Sequence, residues 1–169
     1  MHYNHQLKTM LPVDVVYQTF RDHYDKLAVY MPNIKKIETL EREKTKNGVR
    51  TVNKWYAEYL NQEIAWLDKR EWFDNEHVCV FTLEPFVFKE YIDIHGKNTY
   101  SSDGRYTTIK ITGGINMHLV DNAPIPLLFK KNVNSIISKI VYALLKPNFS
   151  ELVRGIEQYV KENKSTKQI

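Results

Sequence analysis

Residues 133–160 read VNSIISKIVYALLKPNFSELVRGIEQYV. Val133, Ile136, Ile137, Ile140, Val141, Leu144 and Leu145 recur at helical spacing, and Phe149, Leu152, Val153, Ile156, Tyr159 and Val160 do the same. Such a stripe is one apolar face of an α-helix that has to be covered by a partner. Pro147 falls between the halves. The steps from Val141 through Leu145, Phe149, Leu152 and Ile156 to Val160 are four, four, three, four and four residues, so the stripe keeps its phase across the proline. One long helix of about 30 residues, kinked at Pro147, accounts for this. The competing reading is a break, with Asn148 capping the second half and Glu151 reaching back. Gly155 would let this helix approach the sheet closely, at a cost of about 1 kcal/mol against Ala.

Upstream the period is different. Tyr3–Met10 reads as a first strand. Pro12 suits the first turn of a helix, and Val13, Val16, Tyr17, Phe20 and Tyr24 make Pro12–Tyr24 amphipathic. Lys26–Met31 reads as a short second helix, closed by Pro32, which disfavours helical geometry in the residue before it. Ile34–Glu43 and Val49–Tyr59 alternate as strands, and Asn47-Gly48 between them signals a type I′ hairpin turn. Glu63–Phe73, His77–Leu83 and Phe86–Tyr100 continue the pattern, with breaks at Asp74-Asn75 and Glu84-Pro85. Asp103-Gly104 marks a further turn. Arg105–Leu119 is the last strand, with a bulge or kink expected at Gly113-Gly114. Strands joined by short turns pair antiparallel, and a helix with one apolar face packs on them. The class is α+β, with seven strands, two short helices after the first strand and a long C-terminal helix.

The chain has 169 residues, 43% of them hydrophobic and 26% charged, and a formal net charge of +4. These values suit one globular domain, residues 1–163, with a frayed basic tail at 164–169. The longest apolar run, Ile140–Leu145, is far short of the ~18 residues that span a bilayer, and no integral membrane segment is expected. No basic-then-apolar leader follows Met1, and a lone cysteine, Cys79, cannot staple a monomer. Both point to a cytoplasmic protein. The basic residues are scattered rather than gathered on one face, so no nucleic-acid partner is expected. A homodimer is compatible with the pattern.

Glu63–Phe73 carries the most chemistry. Ile64, Trp66, Asp68, Arg70 and Trp72 share one face of the strand, and Ala65, Leu67, Lys69, Glu71 and Phe73 the other. Charge on both faces leaves the inward one undecided. If the tryptophans point inward, Asp68 and Arg70 must pair with each other or meet a polar ligand group, because an unpaired buried charge is costly. If they point outward, the pair is a solvated one beside aromatics. Trp55 lies on the preceding strand. Tyr91, Asp93 and His95 alternate on the sixth strand, and Tyr106 and Met117 lie on the last. His77 and Cys79 sit two apart on one strand face, but no spacing typical of a metal site occurs, and no metal or other cofactor is expected. Cys79 in the apolar run Val78–Phe81 reads as a small buried hydrophobe. No phosphate-cradling loop is present.

The order of elements resembles the helix-grip fold of the START-like superfamily, which includes Bet v 1-like proteins, polyketide cyclases and dehydrases, and coenzyme Q-binding proteins. Three stretches carry the resemblance. Leu11–Tyr17 is similar to the first helix of that fold. Asp25–Ile37, with Tyr30-Met31-Pro32-Asn33-Ile34 at its centre, is similar to the turn before strand two, with Tyr30 in place of the usual Trp. Phe149–Glu162 resembles the end of the gripping helix. The resemblance implies a curved sheet around the long helix, with a cavity between them for a hydrophobic or amphipathic small molecule. It makes Trp55, Trp66, Asp68, Arg70, Trp72, Tyr91, His95, Tyr106, Met117, Ile136, Ile137, Ile140, Val141 and Leu144 the candidate ligand contacts. Binding or transport is the first expectation. The alternative is a polyketide cyclase or dehydratase using Asp68, Arg70, Tyr91 or His95 as the acid or base. The third is a protein-binding or chaperone-regulating module working through an exposed apolar patch.

Overall fold

The computed structural model of the chain describes residues 2–59, 61–85, 92–117 and 151–163. Seven strands form one sheet: β1 (His2–Thr9), β2 (Ile34–Lys44), β3 (Gly48–Tyr59), β4 (Gln62–Phe73), β5 (Val78–Pro85), β6 (Ile92–Ser102) and β7 (Thr107–Met117). Their spatial order is β1-β7-β6-β5-β4-β3-β2, and every pair is antiparallel. The chain runs β2 to β7 as a meander of hairpins, and β1 closes on the far edge beside β7. Between β1 and β2 come an α-helix, α1 (Val13–His23), and a 3-10 helix (Tyr24–Tyr30). Residues 151–163 form a second α-helix, α2.

The alternation of side chains decides what the sheet buries. Thr51, Asn53, Trp55 and Ala57 of β3 point inward, as do Asp68, Arg70 and Trp72 of β4 and Cys79 and Phe81 of β5. Ile94, Asn98 and Tyr100 of β6 and Thr107, Ile109, Ile111 and Ile115 of β7 complete that face. Val16, Tyr17 and Phe20 of α1, Leu27 and Ala28 of the 3-10 helix, and Leu152, Ile156 and Val160 of α2 join the same core. The second half of the helical stripe is therefore buried in the core that the sheet covers. Pro147 and residues 133–145 lie outside the described residues.

Several local expectations change. The second helix is 3-10 and follows α1 directly. The β2–β3 hairpin forms, but its turn is not type I′: Asn47 does not adopt positive φ, and the turn closes with Thr45 N–H donating to Gly48 O (2.9 Å). Strand β5 runs through Glu84-Pro85, with Pro85 opposite Trp66. His77 belongs to the preceding turn, at φ 49°, so it does not share a strand face with Cys79. It pairs instead with Asp14 through Nε2 at 3.0 Å. The register runs unbroken through Gly113-Gly114. The bulges are on edge strand β2, between Ile34 and Lys36 and between Thr39 and Glu41.

Side-chain contacts tie helix α2 to the rest. Thr9 Oγ1 donates to Glu157 Oε1 (2.6 Å), Tyr30 OH donates to Glu162 Oε2 (2.8 Å), and the His23 and Tyr159 rings lie 5.5 Å apart. Gly155 does permit a close approach, but to the 3-10 helix rather than the sheet. A Cβ there would sit 2.5 Å from Tyr30 Cβ.

Candidate functional site

The register of three neighbouring strands builds a polar cluster inside the fold. Asp68 is opposite Asn53 on one side and Leu83 on the other; Arg70 is opposite Thr51 and Phe81; Trp72 is opposite Val49 and Cys79. Asp68 and Arg70 are two apart on one strand and point the same way. Their relative exposures are 0% and 6%, so the tryptophan face of β4 is the buried one.

Arg70 organises the cluster. Its Nε donates to Asp68 Oδ2 (2.7 Å), Nη2 donates to Tyr24 OH (3.0 Å), and Nη1 points at Cys79 Sγ (3.8 Å). Its guanidinium carbon lies 4.2 Å from the Tyr24 ring centroid, 5.2 Å from that of Phe81 and 5.9 Å from that of Trp72. An aromatic cage of this kind favours a desolvated cation. Trp55 and Trp66 stack beside it, with centroids 5.5 Å apart. Trp72 meets Tyr17 edge-on at 5.6 Å, and Phe20 and Tyr100 lie 5.5 Å apart. Two glycines make room for rings on this face. The Phe81 ring occupies the space over Gly96, and the Tyr3 hydroxyl occupies the space over Gly113.

Burial sets the protonation states. It pushes the Asp68 carboxyl up, against the opposing pull of Arg70. Burial also works against the Arg70 charge, but the Asp68 carboxylate beside it outweighs burial and holds the guanidinium protonated. The Cys79 thiol and the Tyr3 hydroxyl are each pushed up to about 12 by burial, with Arg70 opposing. Burial raises Tyr24 and Tyr100 as well. The thiol and the three phenols are therefore neutral at pH 7. Cys79 is fully buried and is no ready nucleophile.

Several buried polar atoms complete no hydrogen bond among the described residues: Asp68 Oδ1, Trp55 Nε1, Trp72 Nε1, Asn98 Oδ1 and Tyr100 OH. Hydrogen bonding from the Trp55 indole nevertheless pulls the Asp68 pKa down against burial, and Asn98 does the same to Tyr100, so these atoms partly serve one another and the Trp72 indole N–H is the one left without such a neighbour. Native interiors rarely leave such groups unmet, and each one calls for an explanation.

The structure brings Trp55, Trp66, Asp68, Arg70 and Trp72 together. It does not bring His95 or Tyr106 to them. On β6 the buried residues are Ile94, Asn98 and Tyr100, so His95 points to the opposite, solvent face, where its Nδ1 lies 3.4 Å from Asp93 Oδ2. Tyr106 precedes β7 on the outer side, between Lys8 and Arg105. Tyr91, Ile136, Ile137, Ile140, Val141, Leu144 and the Met117 side chain lie outside the described residues. Sequence reasoning missed Tyr24, Asn98, Tyr100 and Tyr3. For Asn98 and Tyr100 a signal existed, since both share strand parity with Ile94.

The sequence matches no family model and no curated protein. Solved structures share the fold. A protein of Thermus thermophilus aligns with a TM-score of 0.71 at 21% identity, over 96% of this chain and 99% of that one. The Zhui aromatase/cyclase from Streptomyces sp. R1128 aligns at 0.67 and 15%, over 95% of each chain. A START superfamily protein from Mycobacterium smegmatis aligns at 0.60 and 12%, over 94% of this chain and 98% of that one. The chain has the helix-grip fold of START and Bet v 1-like proteins. No helix among the described residues is long and apolar enough to cross a membrane.

Proposed function

We propose that this protein binds and carries a hydrophobic or amphipathic small molecule against the inner face of the sheet, as a cytoplasmic carrier. The observation behind this reading is the caged Asp68–Arg70 pair, with unmet donors and acceptors around it in an aromatic wall. An apolar ligand leaving water gains about 25 cal/mol per Å² buried. A few polar groups then fix its orientation, as in most small-molecule sites. Asp68 Oδ1 would accept from a ligand hydroxyl, and the indole N–H of Trp72 would donate to its oxygens. Met117, Ile136, Ile137, Ile140, Val141 and Leu144 supply further apolar contacts in this reading. Arg70 is already engaged by Asp68 and Tyr24, which suits an anchor better than a group that shuttles protons.

Native mass spectrometry of the protein purified from its host, together with titration by 1-anilinonaphthalene-8-sulfonate, tests the proposal. The expected result is a co-purified small molecule, or one saturable dye site that weakens at least tenfold in the double variant Asp68→Leu/Arg70→Met. A bare mass together with equal dye affinity in the wild type and a folded double variant overturns it.

A further inference from the structure

The outer face of the sheet carries an arrangement that the ligand site does not use. In the register of β1, β7 and β6, His2 is opposite Gly114, and Gly114 is opposite His95. Two imidazoles thus flank a residue that has no side chain, one on each neighbouring strand. They lean over it. The point where a Cβ of residue 114 would lie is 3.3 Å from His95 Nε2 and 3.5 Å from His2 Nδ1. Both histidines are exposed. The third feature is the Asp93 carboxylate, whose Oδ2 is 3.4 Å from His95 Nδ1. A carboxylate on one ring nitrogen orients the ring and leaves the other nitrogen as the free lone pair, the arrangement found behind metal-bound histidines.

We infer that His2 Nδ1 and His95 Nε2 form a two-histidine site for a divalent transition-metal ion above Gly114, with Asp93 as its positioning residue. Imidazole nitrogen suits Cu²⁺, Ni²⁺ and Zn²⁺, and Cu²⁺ binds tightest in that series. Metal–nitrogen bonds of about 2.0–2.1 Å are shorter than the 3.3 and 3.5 Å to that point, so the two exposed rings would turn toward each other over the glycine to close on the ion. Among the described residues no third His, Cys, Asp or Glu joins them to complete a larger cluster. The bound ion bridges edge strand β1 to β6 across β7 and would pin that edge of the sheet.

Calorimetric titration of the full chain with Cu²⁺, with paramagnetic resonance to count coordinating nitrogens, tests this. The expected result is one site with two imidazole ligands. His95→Ala and His2→Ala should each weaken it at least tenfold. Gly114→Val, which keeps both imidazoles but fills the space between them, should weaken it by a similar factor. His5→Ala, on the same strand but on its other face, should leave it unchanged. Binding that survives His95→Ala or Gly114→Val, or that shows a single imidazole, overturns the inference. So does a loss confined to His2→Ala, because the ligands would then belong to the chain end alone.

Discussion

Replacing Arg70 by Met strands Asp68 inside the fold, and the consequence can be worked out with its dependence on pH. Breaking a buried ion pair from one side costs about 3–5 kcal/mol. The stranded carboxylate has an escape: it can take up a proton. Its ordinary pKa is 3.8, and neutralising such a group at pH 7 costs about 4 kcal/mol, at 1.36 kcal/mol per unit. The loss at pH 7 is therefore capped near that figure, and it shrinks by about 1.4 kcal/mol with each unit of acidification. The sign follows from the shift. Burial raises the Asp68 pKa, so the folded state prefers the neutral form. Stability from that preference is complete below 3.8 and is lost as pH rises toward the raised folded value. Arg70 opposes the shift in the native protein, so the variant's stability depends on pH more steeply than the wild type's. Urea unfolding followed by far-UV circular dichroism avoids the tryptophans, which sit in the cluster. Arg70→Met should lose about 3–4 kcal/mol at pH 7 and about 1–2 kcal/mol at pH 5 relative to wild type. In a domain of this size the pH 7 loss corresponds to about 6–16 °C in Tm. Asp68→Leu/Arg70→Met, with both charges gone, should return to within about 1 kcal/mol of wild type or exceed it. A loss under about 1 kcal/mol at pH 7, or one equal at both pH values, would refute this account of the pair.

Other perturbations follow from the packing. Gly155→Ala should gain about 1 kcal/mol in helix propensity, yet its Cβ meets Tyr30 Cβ; overpacking of this kind costs about 1–3 kcal/mol. Thermal melts should show net destabilisation that Tyr30→Gly, which removes the colliding Cβ, relieves in the double variant. Gly113→Ala should be the harsher change, because its methyl collides with the His95 carbonyl of the backbone as well as with the Tyr3 hydroxyl; urea midpoints should fall further for it than for Gly155→Ala. The Cys79 thiol, buried and pushed up to about 12, should not react with a disulfide reagent at pH 8 until urea unfolds the chain. Prompt reaction in the native state would contradict its burial.

How much of this was legible in the sequence depends on whether a pattern carries a sign. On β6 it did. Ile94 and Tyr100 share one parity, and Asp93, His95 and Lys97 the other, so the outward placement of His95 could have been read from the chain. On β4 it did not. Asp68 and Arg70 sit on one face, and Lys69 and Glu71 on the other, so a period of two with charge on both sides points nowhere. The sign comes from the neighbours across the sheet: Arg70 lies between Thr51 and Phe81, and Trp72 beside Cys79. Gly96 and Gly113 were illegible for the same reason. Their role is to yield space to Phe81 and Tyr3, residues on other strands, and no local pattern reports that.

The same strand shows why counting charges misleads. Outside, Lys69 pairs with Glu84 at 2.5 Å and Arg50 with Glu71 at 3.4 Å, all at least partly exposed. Such pairs are worth about 0–1 kcal/mol. Inside, Asp68–Arg70 at 2.7 Å costs several times that to break from one side. A strand that reads as uniformly charged thus carries nearly all of its electrostatic weight on two residues. The fold keeps that weight at a kind of position where well-packed apolar side chains of similar volume are often at least as stable. Stability alone is then a weak reason to keep the pair, and the unmet Trp72 indole N–H beside it gives a reason to look for a ligand there.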